Sequence, residues 1–162
     1  MVNENGIIVK KTNFQSINFV KIITPEGKID AVIYGKKQIS LLYIFNFELV
    51  EPNKKNLYIV RKFNLVEKFE QLNTKEKLVG AFFVIDVASQ IDIDYNFIVK
   101  TVKSLEKDDV KVCIKNFVEK ILVDNGVYRN HIDDINNLVL ELEKYLGKKL
   151  KVGLNEVFTT AR

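Results

Sequence analysis

The stretch SINFVKIITPEGKIDAVIYG, residues 16–35, decides how the chain folds. Its first half, SINFVKIIT (16–24), is apolar and rich in β-branched residues, which suit a pleated, half-buried surface. PEGK (25–28) reads as a turn, in which proline presets one backbone angle and Gly27 supplies the permissive position. KIDAVIYG (28–35) then alternates, with Ile29, Ala31 and Ile33 on one face, the period of a strand. Upstream lies GIIVKKTN (6–13), separated from this pair by Asn13-Phe14-Gln15. Downstream, Gly35 supplies a bend, Lys36 and Lys37 follow, and ISLLYIFNFELV (39–50) reads as a fourth strand. EPNKKN (51–56) is a second turn, and LYIVRKFNLVEKF (57–69) closes the set. Five strands joined by short connections predict a small antiparallel β-barrel over residues 1–70, because closure hides the strand edges.

Near residue 70 the period changes from that of a strand to that of a helix, so the fold class is α+β and residues 71–162 form an α-helical domain. Thr74 is the expected N-cap of a first helix, with Leu78, Phe82, Ile85 and Ala88, or the neighbouring Ala81 and Phe83, at helical spacing. Asp94 caps a second, whose apolar stripe is Phe97, Val99 and Val102. Asp108-Asp109 opens a third that ends at Gly126. His131 to Leu146 forms a fourth, with Ile135, Leu138, Leu142 and Tyr145 on one side and Gly147 as its stop.

The inventory of the 162 residues removes most catalytic classes. The single histidine, His131, cannot build a histidine-based triad or a multi-histidine zinc site, and reads as a solvated turn residue. The single cysteine, Cys113, lies in an apolar helical pattern and reads as a buried structural thiol. Neither a GxxxxGK[ST] loop nor a GxGxxG turn is present. The aspartate pairs Asp92/Asp94, Asp108-Asp109 and Asp133-Asp134 each sit at a predicted helix start, where acids are favoured by the helix dipole alone. No enzymatic activity, cofactor or metal is expected. The N-terminal residue order is not that of a signal peptide, no stretch reads as a membrane span, and cysteine usage fits a reducing, cytoplasmic setting.

What remains is a binding surface. Residues 1–72 hold 11 Lys/Arg against 7 Asp/Glu, whereas residues 73–162 hold 14 of each, so the net charge of +4 belongs to the strand half. Four basic doublets carry it: Lys10-Lys11, Lys36-Lys37, Lys54-Lys55 and Arg61-Lys62. Tyr34, Tyr43, Phe45, Tyr58 and Phe63 interleave with them. Basic grooves lined with aromatic rings are how barrels hold single-stranded nucleic acid. Taken singly, each of these aromatics reads as core, Tyr34 included, and so does Ile39.

The order of segments resembles the bacterial recombination mediator family RecO. GIIVKK (6–11) is similar to that family's opening strand, and IITPEGKIDAVIYGKK (22–37) to its next strand, Thr-x-x-Gly-basic turn and strand ending in Gly and basic residues. FVEKILVDNGVY (117–128) and YLGKKLKV (145–152) resemble two later family segments. The region that holds a four-cysteine zinc site in many members is here RNHIDD, without cysteine, and the chain is shorter. The resemblance implies an OB-fold barrel, binding of single- and double-stranded DNA, annealing of complementary strands and help in loading a recombinase. It also implies RecR and the acidic C-terminal tail of single-strand-binding protein as partners. By location alone, Lys100, Lys103, Lys111, Lys115 and Arg129 are candidates for the partner contact. A competing reading is a protein–protein adaptor that has kept the barrel and lost DNA.

Overall fold

A computed structural model describes residues 1–35, 38–51, 56–127, 134–148, 150 and 154. Five strands come first: β1 (Val2–Phe14), β2 (Ile17–Thr24), β3 (Gly27–Tyr34), β4 (Ile44–Val50) and β5 (Leu57–Glu67). They close into a barrel in the order β1-β2-β3-β5-β4, with β1 returning to β4. The expected wholly antiparallel arrangement does not hold, because β3 and β5 run parallel through Asp30–Val32 and Leu57–Ile59. The reason is geometric. A closed ring with an odd number of strands cannot reverse direction at every step, so at least one neighbouring pair must be parallel.

β1 serves two ladders. Val2 to Ile7 pair with β4, and Ile7 to Phe14 pair with β2. Its polar first residues, Asn3 to Asn5, conceal strand that begins four residues before the apolar run. At the changeover stands Gly6, where a Cβ would lie 2.6 Å from Ile22 Cγ2 and 3.0 Å from the Ile23 carbonyl oxygen. Any side chain there would separate the two ladders that meet on β1. Just beyond, the β1–β2 register shifts between Ile8 and Lys10, leaving Val9 as a bulge.

β4 starts at Ile44 rather than residue 39. The apolar run before it is instead a loop, with Leu42 at φ 74, that turns Ile39 and Leu42 inward until each is about 5% exposed. An apolar run does not reveal whether it packs as a strand or as a plug. Inside the barrel, Ile8, Val20, Ile22, Ala31, Ile33, Phe47 and Leu49 form the core. Tyr43, Phe45, Tyr58 and Phe63 belong to it or pack against it, as the sequence implies, with Phe45 and Phe63 meeting edge-on at 5.4 Å. The predicted turn at 25–28 is present, with Gly27 at φ 133 and the Thr24 hydroxyl donating to the Gly27 carbonyl.

Four helices follow: α1 (Lys75–Gln90), α2 (Tyr95–Lys107), α3 (Val110–Asp124) and α4 (Ile135–Leu146). The caps of the first three agree with the sequence, and that of α4 lies later than expected. Backbone N–H groups of Lys77, Phe97, Val112 and Asn136 donate to the side chains of Thr74, Asp94, Asp109 and Asp134. α3 ends at Asn125 and Gly126, and α4 at Gly147 with φ 78. Two stripes agree with expectation only in part, through Ala81, Phe83, Ile85 and Ala88 on α1 and Val102 on α2. On α1 the buried side includes Ala81, Phe83, Val84, Ile85 and Ala88, while Leu78 and Phe82 are exposed. On α2 it is Ile98, Thr101, Val102 and Leu105, one residue round from Phe97 and Val99. Both segments carry apolar residues on more than one side, so periodicity leaves the buried face undetermined. α4 begins at Ile135, later than residue 131, and buries Ile135, Leu138 and Leu142. Tyr145 stays exposed and donates its hydroxyl to Asn125 Oδ1.

The chain divides into two compact units, Met1–Phe69 with Asp92–Ile98, and Glu70–Ile91 with Val99–Arg162. Among the described residues, no helix is long and apolar enough to cross a membrane.

Candidate functional site

The bulge at Val9 fixes which β1 side chains face outward. Before it, Ile8 opposes Ile22 in the core. Continued without a bulge, the ladder would place Lys10 opposite the core residue Val20. A shift of one residue moves a side chain to the other face of a sheet. With the extra residue, Lys10 instead opposes Lys21 on the outer face.

Three rows of side chains then cross this outer face. The first runs Lys10, Lys21, Asp30, Leu57. The second runs Thr12, Phe19, Val32, Ile59. The third, at the hairpin end, is Phe14, Ile17, Tyr34. Rows on one face are two residues apart, about 6.6 Å along a strand. Phe14, Phe19, Tyr34 and Ile59 are 63%, 42%, 55% and 40% exposed, a concentration of bare apolar surface on one side of the barrel. Between the first two rows lies an open concavity of about 270 Å³, lined by Lys10, Thr12, Phe19, Lys21, Asp30 and Leu57 together with Val20 and Ala31.

Like charges directly opposite each other weaken a sheet. Lys10 and Lys21 are opposed in this way, and among the described residues neither is held by an ion pair. Asp30 opposes Lys21 from β3, so the row holds two lysines against one carboxylate and Lys10 carries the excess positive charge. At the start of β3, burial pulls the Lys28 ammonium below the ordinary lysine value, opposed by Asp92, whose carboxylate lies 3.8 Å away, and by Asp30, while Lys21 adds to the lowering.

The doublets from the sequence divide. Lys10 is on the three-row face. Its neighbour Lys11 points to the other side and donates to the Ile39 carbonyl at 2.8 Å, tying β1 to the plug loop. Arg61 occupies a bulge in β5, 3.8 Å from Glu48. Lys62 opposes Glu48, which in turn opposes Asn3, seven residues along β1 from Lys10. Lys36, Lys37, Lys54 and Lys55 lie outside the described residues. On the helices, Lys100, Lys103 and Lys111 are exposed, and Lys115 lies 3.9 Å from Glu119. Arg129 and His131 lie outside the described residues. Cys113 is buried, which pushes its thiol up, with Asp108 and Asp109 adding to the shift.

Tyr34 is a correction to the sequence reading, since it is exposed rather than core. The alternation of β3 carries the signal, because Ala31 and Ile33 face inward and Tyr34 must then face out. Lys21, Phe14 and Phe19 were not singled out by the sequence. Phe19 and Lys21 alternate with Asn18, Val20 and Ile22 on β2, but the β-branched run masks that alternation.

No family model matches the chain, and no curated protein matches it. Among solved structures, one similar chain is the crystal structure of a protein assigned as an aspartyl-tRNA synthetase from Leishmania major Friedlin. It shares 14% identity with a TM-score of 0.38, over 82% of this chain and 30% of that one.

Proposed function

We propose that the chain is a DNA-binding protein of the recombination-mediator type, with an OB-like barrel that holds single strands on the β1–β2–β3 face. The observation that carries this reading is the positive excess of the Lys10–Lys21–Asp30 row beside the exposed rings of Phe14, Phe19 and Tyr34. The barrel order β1-β2-β3-β5-β4, with β3 and β5 parallel, supports the OB-like assignment. In OB barrels the face of strands 2 and 3 binds oligonucleotides. The segment order that resembles RecO supports the wider role in a cytoplasmic repair setting: annealing complementary strands and assisting recombinase loading, with RecR and the tail of single-strand-binding protein as partners.

Such a mechanism breaks no covalent bond. Lysines neutralise phosphates and release condensed counterions, which brings two repelling strands within reach of each other. Exposed rings stack on bases without regard to sequence. Binding of an oligothymidylate, followed by fluorescence anisotropy, is expected at low salt. Its log affinity should fall linearly with log salt, Lys10 and Lys21 together contributing about 1.4 to the slope. No binding at low salt, or a flat salt dependence, overturns the reading.

The Asp30 carboxylate in the same row favours a second reading, a protein-docking face, because a carboxylate repels phosphate. Capture of RecR or single-strand-binding protein by a chain that binds no oligonucleotide would select that adaptor role.

A further inference from the structure

Asp30 is out of place on a surface that serves only phosphates. It is exposed and lines the concavity, and although it faces Lys21 and acts on the Lys28 charge, no ion pair within 4 Å holds it among the described residues. Lys21 is its direct neighbour on β2, and Leu57 its neighbour on β5. Phe19 is its diagonal neighbour, one row away, so the two Cβ atoms stand roughly 7 Å apart. A flat group stacked on the Phe19 ring would thus bring its edge over the Asp30 carboxylate.

We infer that this concavity takes one unpaired guanine base, stacked on Phe19, with its Watson–Crick edge hydrogen-bonded to Asp30. Asp30 has this role only if the face binds nucleic acid as proposed above. The choice of base follows from hydrogen-bond chemistry. A carboxylate only accepts, and it accepts two parallel donors best. Guanine presents two adjacent donors on that edge, N1–H and the N2 amino group. Adenine and cytosine present one amino donor each beside a ring acceptor. Thymine presents one donor between two carbonyls, which the carboxylate repels. Base edges of this kind are open only in single strands. Lys21, beside Asp30, and Lys10, at the far end of the same row, are placed to hold the phosphates beside that nucleotide. Phe14 and Tyr34 continue the stacking surface for its neighbours, which favours a nucleotide within a strand over a free one.

The experiment compares an oligothymidylate with the same oligomer carrying one central guanine, on the full chain and on Asp30→Asn, at fixed low salt. The guanine oligomer is expected to bind about tenfold more tightly to the native chain, the scale of one good bidentate contact. In Asp30→Asn the ratio of the two affinities should fall to near one, while oligothymidylate binding is kept or strengthened by loss of the negative charge. Equal binding of both oligomers by the native chain overturns the guanine site and leaves the nucleic-acid reading standing. Failure of both to bind overturns the two together. Free dGMP competing as well as the guanine oligomer, at equal concentration, would overturn recognition within a strand.

Discussion

The lysines of the helices and those of the barrel differ in what stands beside them. On the helices, carboxylates accompany them at helical spacing: Lys115 with Glu119, Lys120 with Asp124 and Lys144 with Glu141, at 3.9, 3.1 and 3.1 Å. Residues three and four apart share a helix face, so a local sequence pattern is enough to neutralise such a surface. On the barrel, Lys10 meets Lys21, eleven positions along the chain, because a hairpin and a bulge bring them together. Those three helical lysines are balanced by carboxylates on their own helix, whereas Lys10 faces a like charge and the carboxylate of its row, Asp30, stands two strands away beside Lys21. Lysines can therefore be neutralised locally on a helix and left in excess on a sheet.

The largest expected effect tests how tightly the barrel side is constrained. Gly6→Val puts atoms into space already held by Ile22 and the Ile23 carbonyl, and should cost about 3 kcal/mol, lowering Tm by roughly 6–12 °C. Gly80→Ala, on α1, is its helical counterpart. There the Cβ meets only side-chain methyls of Val110, Leu105 and Ile114, at 3.1, 3.3 and 3.5 Å, and better helix propensity offsets part of the crowding. Thermal melts followed by circular dichroism should rank Gly6→Val well above Gly80→Ala, and the reverse order would undo the contrast.

Next comes the charge contrast. Reversing Lys10 and Lys21 to glutamate should weaken single-stranded DNA binding about tenfold or more and flatten its salt dependence. The same double reversal at Lys111 and Lys115 should change affinity by less than about twofold, since those lysines lie outside the three-row face. Comparable losses in the two variants would move the DNA surface onto the helices.

The smallest effect concerns Cys113. Burial raises the thiol above the ordinary value of 9.0 in the folded state, so the neutral thiol contributes stability below that pH and the contribution fades as pH rises through the folded value. At pH 8.5 the native thiol should react with an aromatic disulfide far more slowly than the denatured one. Equal rates would show that the α3 face carrying Cys113 is open.

Much of this was legible in the sequence, for identifiable reasons. Helix caps depend on one residue and its neighbours, so Thr74, Asp94 and the Asp108-Asp109 start could be placed from spacing alone, whereas the Asp134 cap lies three residues past the expected start at His131. The strands of the central hairpin were legible from turn chemistry and alternation. The parallel β3–β5 pair was not, because it follows from closure of the whole ring and from no local pattern. The Lys10–Lys21 pairing was hidden for a similar reason. Whether Lys10 faces core or solvent depends on the one unpaired residue, Val9, and on the partner strand. Lys11 shows the reverse: it stands out in sequence as half of a doublet, yet holds a loop carbonyl in the fold.

The parallel ladder between β3 and β5 has a mechanical consequence. It joins only three residue pairs, where β2 and β3 share eight, and parallel pairing is slightly weaker per residue. It is the seam along which the barrel should breathe first, exchanging the amide hydrogens of residues 57–59 ahead of those of β2. Asp30 and Val32 stand on one lip of that seam and Leu57 and Ile59 on the other, so a strand lying across it would act as a clasp and slow that exchange when bound.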